Sequence, residues 1–387
     1  MKSKGLLLAL CCAVPSLASA AGSNAFNPDV ALVLSGTYAQ LGHDPAKYTI
    51  PGFALSPDVS PGDRGFGLGE SELALYSNID PDWYGFFTAS LDGNNTVSVE
   101  NAFVQTTSLG HGLTIRGGRF FSGIGYLNEQ HSHTWDFVDQ PLAYRAFLGD
   151  QYKDDGVQAR WVAPTDLYTE FGTEWLKGSN FPAGGNANNG RGAWSAFVHV
   201  GDDVGDSNSW RAGLSYLSTK SIDRLSVSVD PTLDDQFTGD NKLLVADFVW
   251  KWAPEGNAYD RNLRFQAEYL QNRSDGEFTP AGLSALPYKG TSSGWYMQAA
   301  YQFIHAWRIG LRHDQLNPYD GGSAFIGTVL DTQGHTPTRN SVMIDYTNSE
   351  FSRLRLQYNR DNSGTVADNQ VFLQYIMSLG AHPAHMF

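Results

Sequence analysis

Along SRLRLQYNRD, residues 352–361, Leu354, Leu356 and Tyr358 alternate with Arg353, Arg355, Gln357 and Asn359. A period of two puts the apolar set on one face of an extended strand and the polar set on the other. WRIGLRHD (307–314), NLRFQAEYLQ (262–271) and WYMQAAYQF (295–303) repeat the pattern, and no stretch shows helical periodicity of comparable quality. The alternation predicts about sixteen strands, from 29–41 to 369–380. The connections between them alternate in length. Stretches 42–66, 121–154, 178–191, 219–241, 273–292 and 315–338 are long; NIDPD, SLGHG, APTD, IHA and NSEF are short. DGNNT is a short connection where the alternation calls for a long one.

A soluble sandwich with these strands would need a second layer over each apolar face. A closed barrel needs none, because lipid covers the outside. The fold expected is therefore all-β: a transmembrane antiparallel β-barrel with short periplasmic turns and long extracellular loops. Trp161, Trp175, Trp250, Trp252 and Trp307 fall near strand ends, as an interfacial aromatic belt requires. The last strand, VFLQYIMSLG, alternates well, but AHPAHM separates it from the terminal Phe387.

Composition changes the picture in three ways. MKSKGLLLALCCAVPSLASA has a positive start at Lys2 and Lys4, an apolar run and an Ala-Ser-Ala site, so residues 1–20 read as a signal peptide and 21–387 as one barrel domain. Both cysteines lie in that leader, which leaves the expected mature chain without thiol or disulfide chemistry. The net charge of −14, or −16 once Lys2 and Lys4 are removed, offers no basic stripe to a nucleic acid.

GLGESELAL (67–75), IRGGRFFSGIGYLNEQH (115–131) and the closing strand resemble bacterial outer-membrane porins, in particular the group that includes the phosphate-selective porins. GRFFSGIGYLNEQHSHTWDFVDQPLAYRAFLG is also similar to uncharacterised outer-membrane proteins labelled zinc-regulated receptors. The resemblance implies a passive pore for small hydrophilic solutes or ions in the outer membrane of a Gram-negative bacterium. Its surroundings would be lipid and lipopolysaccharide, and a homotrimer is open to it. It also implies that the third long loop, here 121–154, folds inward to narrow the pore. No G-x-S-x-G and no spaced Ser–His–acid set points to an enzyme, and no cofactor is expected. A TonB-dependent receptor would need a plug domain ahead of the first strand, for which the sequence leaves no room.

The candidate site follows from these placements. Glu129, Asp136 and Asp139 make the inward loop acidic. Arg116, Arg308, Arg312, Arg353 and Arg355 have lumen parity, as do Arg339 and Arg264, so a basic wall facing an acidic loop across a wet eyelet is expected. His131 and His133 stand two apart, so both rings of an extended segment could reach one metal ion, with Glu129 or Asp136 as a third ligand. That spacing carries the alternative reading, a metal-binding or zinc-responsive outer-membrane protein. His382 and His385 form a second pair at the other end of the barrel.

Overall fold

The face of each strand that a water-soluble sheet would bury is here the exposed one. In residues 352–362, Leu354, Leu356 and Tyr358 are 43%, 48% and 41% exposed, while Arg355, Gln357 and Asn359 are buried. Polar groups turned inward and apolar groups turned outward fit a sheet whose outside meets lipid. The computed structural model describes residues 28–93, 95–184 and 189–380; residues 1–20, expected to be a leader, and the terminal Phe387, His382 and His385 lie outside them.

Among the described residues, sixteen staves run in chain order: β1 (Asp29–Gln40), β2 (in two segments, Gly65–Leu68 and Ser71–Asn78), β3 (Trp83–Leu91), β4 (Val97–Thr106), β5 (Leu113–Phe121), β6 (Lys153–Val162), β7 (Tyr168–Leu176), β8 (Ala193–Val204), β9 (Asn208–Val227), β10 (Asp234–Trp252), β11 (Asn262–Thr279), β12 (Leu286–Ile304), β13 (Trp307–Asn317), β14 (Thr338–Ser349), β15 (Ser352–Asn362) and β16 (Asp368–Gly380). Each pairs antiparallel with the next. β16 returns to β1 with Ala31 opposite Gly380 and Gln40 opposite Val371, which closes the barrel. Both described chain ends therefore lie at one end of it. That end carries the turns 305–306 and 350–351; the loops 41–64, 122–152 and 318–337 and the segments 177–184 and 189–192 lie at the other.

Two expected long connections are shorter than the sequence suggested. β9–β12 run 18 to 20 residues each, so 219–241 and 273–292 shrink to 228–233 and 280–285. A transmembrane strand needs only about 9–11 residues. The excess stands above the lipid, where outward positions such as Asp240 and Lys242 are polar and exposed. Here the outward face is polar while Phe237 and Phe278 are buried, so the apolar-outward alternation breaks off, which is why the pattern hid these extensions. Asp275 and Lys289 pair across them at 2.5 Å.

Two irregularities matter for the site. Between Val33↔Glu72 and Gly36↔Leu68, three residues of β2 (Gly69, Glu70 and Ser71) face two of β1. Between β3 and β4 the register shifts at Thr88/Ala89, leaving Glu100 unopposed. Both are bulges, which re-aim side chains locally.

Closure predicts a gel behaviour. Folded protein kept in detergent should migrate faster unheated than boiled; identical migration would contradict a closed sixteen-stranded barrel.

Candidate functional site

The chain leaves β5 at Phe121 and turns into the lumen through Ser122-Gly-Ile-Gly. Gly125 has φ +68°, and a Cβ there would sit 2.5 Å from Glu268 Oε2. Only glycine fits both the backbone and the space. The incoming backbone is then held by carboxylates of the wall. Gly123 N–H donates to Glu174 Oε1 (2.8 Å) and Leu127 N–H to Glu268 Oε1 (2.9 Å), and the Tyr144 and Tyr296 hydroxyls donate to the same Glu268 (3.0 and 2.6 Å). Asn128 ties the loop's two ends together. Its amide donates to the carbonyls of Ser122 and Tyr152, and its oxygen accepts from Tyr152 N–H.

From there residues 122–152 cross the lumen. Asp136 is bonded by Arg264 of β11 and by Arg308 of β13, the latter at 3.1 Å. Asp139 accepts from Arg312 of β13 and Arg339 of β14, both at 2.7 Å, and from Gln357 and Asn359 of β15. Arg353 donates to the His133 carbonyl (2.5 Å) and Arg355 to the Trp135 carbonyl (2.8 Å). Burial alone would raise the Asp139 carboxyl, but Arg339, Arg312 and Arg145 outweigh it and hold the group well below the usual carboxylate range. Asp136 is likewise held low, with Arg264 and Arg308 overcoming its burial.

A short helix, α1 (Leu142–Leu148), follows, buried along its whole length and stopped by Gly149 in the left-handed region. It packs against Leu243, Leu270, Tyr296 and Leu316 of the wall, and Phe53 and Leu55 of 41–64 join the same core. At this level apolar side chains occupy the lumen. On the short-turn side lie two cavities that share Glu129 and Gln130. One, about 240 Å³, is lined by Tyr84, Phe86, Phe103 and Arg116; the other, about 460 Å³, by Arg160, Glu170, His199 and Arg211.

The sequence-predicted residues are therefore distributed as follows. Asp136 and Asp139 meet Arg308 and Arg312 directly, and Arg353 and Arg355 hold loop carbonyls. The wet gap expected between acidic loop and basic wall is thus corrected to direct contact, because loop and wall each carry the charge the other lacks. Arg116 is elsewhere: it donates to Gln105 (2.9 Å) and lies over the Phe103 ring. Glu129 pairs with Arg160. His131 and His133 do come together, 5.8 Å between ring centroids. Their carboxylate partners are Glu72 and Glu100, not Glu129 or Asp136: His131 Nδ1 lies 3.0 Å from Glu72 and 3.1 Å from Glu100, and His133 Nδ1 lies 2.9 Å from Glu72. Burial disfavours a charged ring at His131, yet Glu72 and Glu100 prevail and its pKa is pushed up to about 10. Nothing linear ties Glu72 or Glu100 to residue 131.

No family model matches the chain. An uncharacterized protein of Aquifex aeolicus (strain VF5) is 31% identical over 346 residues, covering 84% of this chain and 70% of that protein. The chain belongs to that protein's family. Solved structures with the same fold include in-vitro folded OmpT of Vibrio cholerae in its trimer form (TM-score 0.56, 12% identity, 91% of this chain and 99% of that one). An anion-selective porin from Comamonas acidovorans gives the same figures, and Salmonella typhi OmpF in complex with daunomycin has a TM-score of 0.53 at 14% identity, covering 92% of this chain and 99% of that one. The family member described here is thus a sixteen-stranded antiparallel barrel of the porin fold.

Removing one partner of a buried ion pair typically costs about 3–5 kcal/mol. Asp139→Asn should loosen loop docking on that scale while leaving the barrel heat-modifiable, read as new protease cleavage within 122–152. The low Asp139 pKa sets the pH window. A carboxyl depressed below its unfolded value of roughly 3.9 stabilises fully above that pH, and its contribution is lost as pH falls further. The difference in cleavage between Asp139→Asn and wild type should therefore stay constant from neutral pH to about pH 4 and shrink only below it.

Proposed function

We propose that the protein is an outer-membrane channel for small hydrophilic solutes or ions, with the loop 122–152 as its gate and the conformation described here as its closed state. One observation carries this reading: a lumen lined with charged and polar groups is crossed by a segment held to the wall through side-chain hydrogen bonds, ion pairs and the apolar packing of α1 rather than through strand pairing. Such a segment can be released without breaking the barrel's backbone ladder. The sixteen-stranded fold of known porins supports the same reading, with short turns facing the periplasm and loops facing outward. A homotrimer fits too, since one OmpT structure of this fold is a trimer; native mass in detergent tests it.

The passage leads past Arg116, Arg160 and Arg211 on the short-turn side. Arg116 has Gln105, a neutral group, as its hydrogen-bonding partner, so its positive charge bears on any ion there.

Planar-bilayer recording tests the channel. Wild type should give small or infrequent conductance steps. A variant lacking 123–151, or Asp136→Asn/Asp139→Asn, should give larger and longer ones. Absence of steps from every variant that still forms a heat-modifiable barrel would overturn the reading. In the loop-deleted channel, Arg116→Ala should shift the reversal potential toward cation preference.

A further inference from the structure

Glu72 and Glu100 arrive at His131 from different strands, and each comes by way of a bulge. The extra residue of β2 lies within 69–71, just before Glu72; the extra residue of β4 is Glu100 itself. Gly69 makes the first bulge fit, since a Cβ there would lie 2.2 Å from Ser35 Oγ. Bulges concentrate next to functional sites, where they re-aim side chains. Here they converge buried carboxylates on one imidazole carried by the gate.

We propose that Glu72, Glu100 and His131 bind a divalent transition-metal ion of the zinc type, with His133 holding Glu72 in position, and that the ion pins the loop 122–152 to β2 and β4. The geometry supports coordination. Metal–nitrogen and metal–oxygen bonds of about 2.1 Å place adjacent ligand atoms roughly 3.0–3.4 Å apart. His131 Nδ1 stands 3.0 Å from Glu72 Oε2 and 3.1 Å from Glu100 Oε2. All three ligand atoms lie within 4.8 Å of one another. The ion would take the place of the Nδ1 proton now shared with the carboxylates.

Imidazole nitrogen with two carboxylates suits a borderline divalent metal better than magnesium or calcium, which prefer oxygen alone. His133 donates to Glu72 Oε1, leaving Oε2 for the ion; such outer contacts orient ligands. A path exists, because the 240 Å³ cavity on the short-turn side is lined by Glu72, His131 and His133. The competing cations are Lys153, 3.9 Å from Glu100, and the ring of His131 itself.

The test uses full-length protein folded in detergent, stripped with EDTA and titrated calorimetrically with zinc chloride, with magnesium chloride as comparison. Because no current is measured, the result is separate from that of the channel experiment. Wild type should bind one zinc per chain and no magnesium at the same concentrations. His131→Ala and the nearly isosteric Glu100→Gln should each weaken zinc binding at least tenfold. His382→Ala/His385→Ala should retain it, which sets this site apart from the C-terminal pair. Heat-modifiable migration establishes that each variant is folded. Equal zinc affinity in wild type and Glu100→Gln, or no zinc binding by wild type, would overturn the proposal and leave the cluster as an ion pair between imidazolium and carboxylates.

Discussion

A strand that crosses lipid must give every backbone N–H and C=O a partner, and here the sheet meets that demand by closing β16 on β1. Everything else follows from this closure. It turns one face of every strand toward lipid, so Leu354 and Leu356 are exposed. It turns the other face into an enclosed lumen, so Arg355, Arg339 and Asp345 are buried although charged. Charges in such a space need partners, because desolvating an unpaired one is costly.

The loop 122–152 supplies many of those partners. Asp136 and Asp139 neutralise guanidinium groups from β11, β13 and β14, while the loop's own backbone N–H groups are met by Glu174 and Glu268 from β7 and β11. Loop and wall are therefore one electrostatic unit rather than a constriction set against a distant wall. The apolar helix Leu142–Leu148 adds a core that excludes water at its level, which strengthens nearby pairs. Moving Asp139 would leave Arg312 and Arg339 to share Asp314, so the docked loop resists partial displacement.

The side facing β2–β4 differs. There the loop presents histidines instead of carboxylates, and the wall presents Glu72 and Glu100 instead of arginines. The polarity of the contact is reversed: the loop carries the imidazoles and the wall the carboxylates. His131 and His133 are thus placed where loop docking can respond to solution conditions.

Period-two alternation in the sequence was enough to determine the barrel and the lumen parity of Arg308, Arg312, Arg339, Arg353 and Arg355, because lipid on one side and charge on the other imprint opposite chemistry on neighbouring residues; the acidic character of 121–154 was legible in its composition. It missed the upper parts of β9–β12, where outward positions are polar and the apolar-outward alternation breaks off. Tertiary structure alone decided the pairings. His131 meets Glu72 and Glu100, 59 and 31 positions away in the chain, and Asp139 meets Arg312 and Arg339, because barrel curvature and two one-residue bulges determine which luminal side chains converge. Those are properties of a closed sheet, and no local run of residues encodes them.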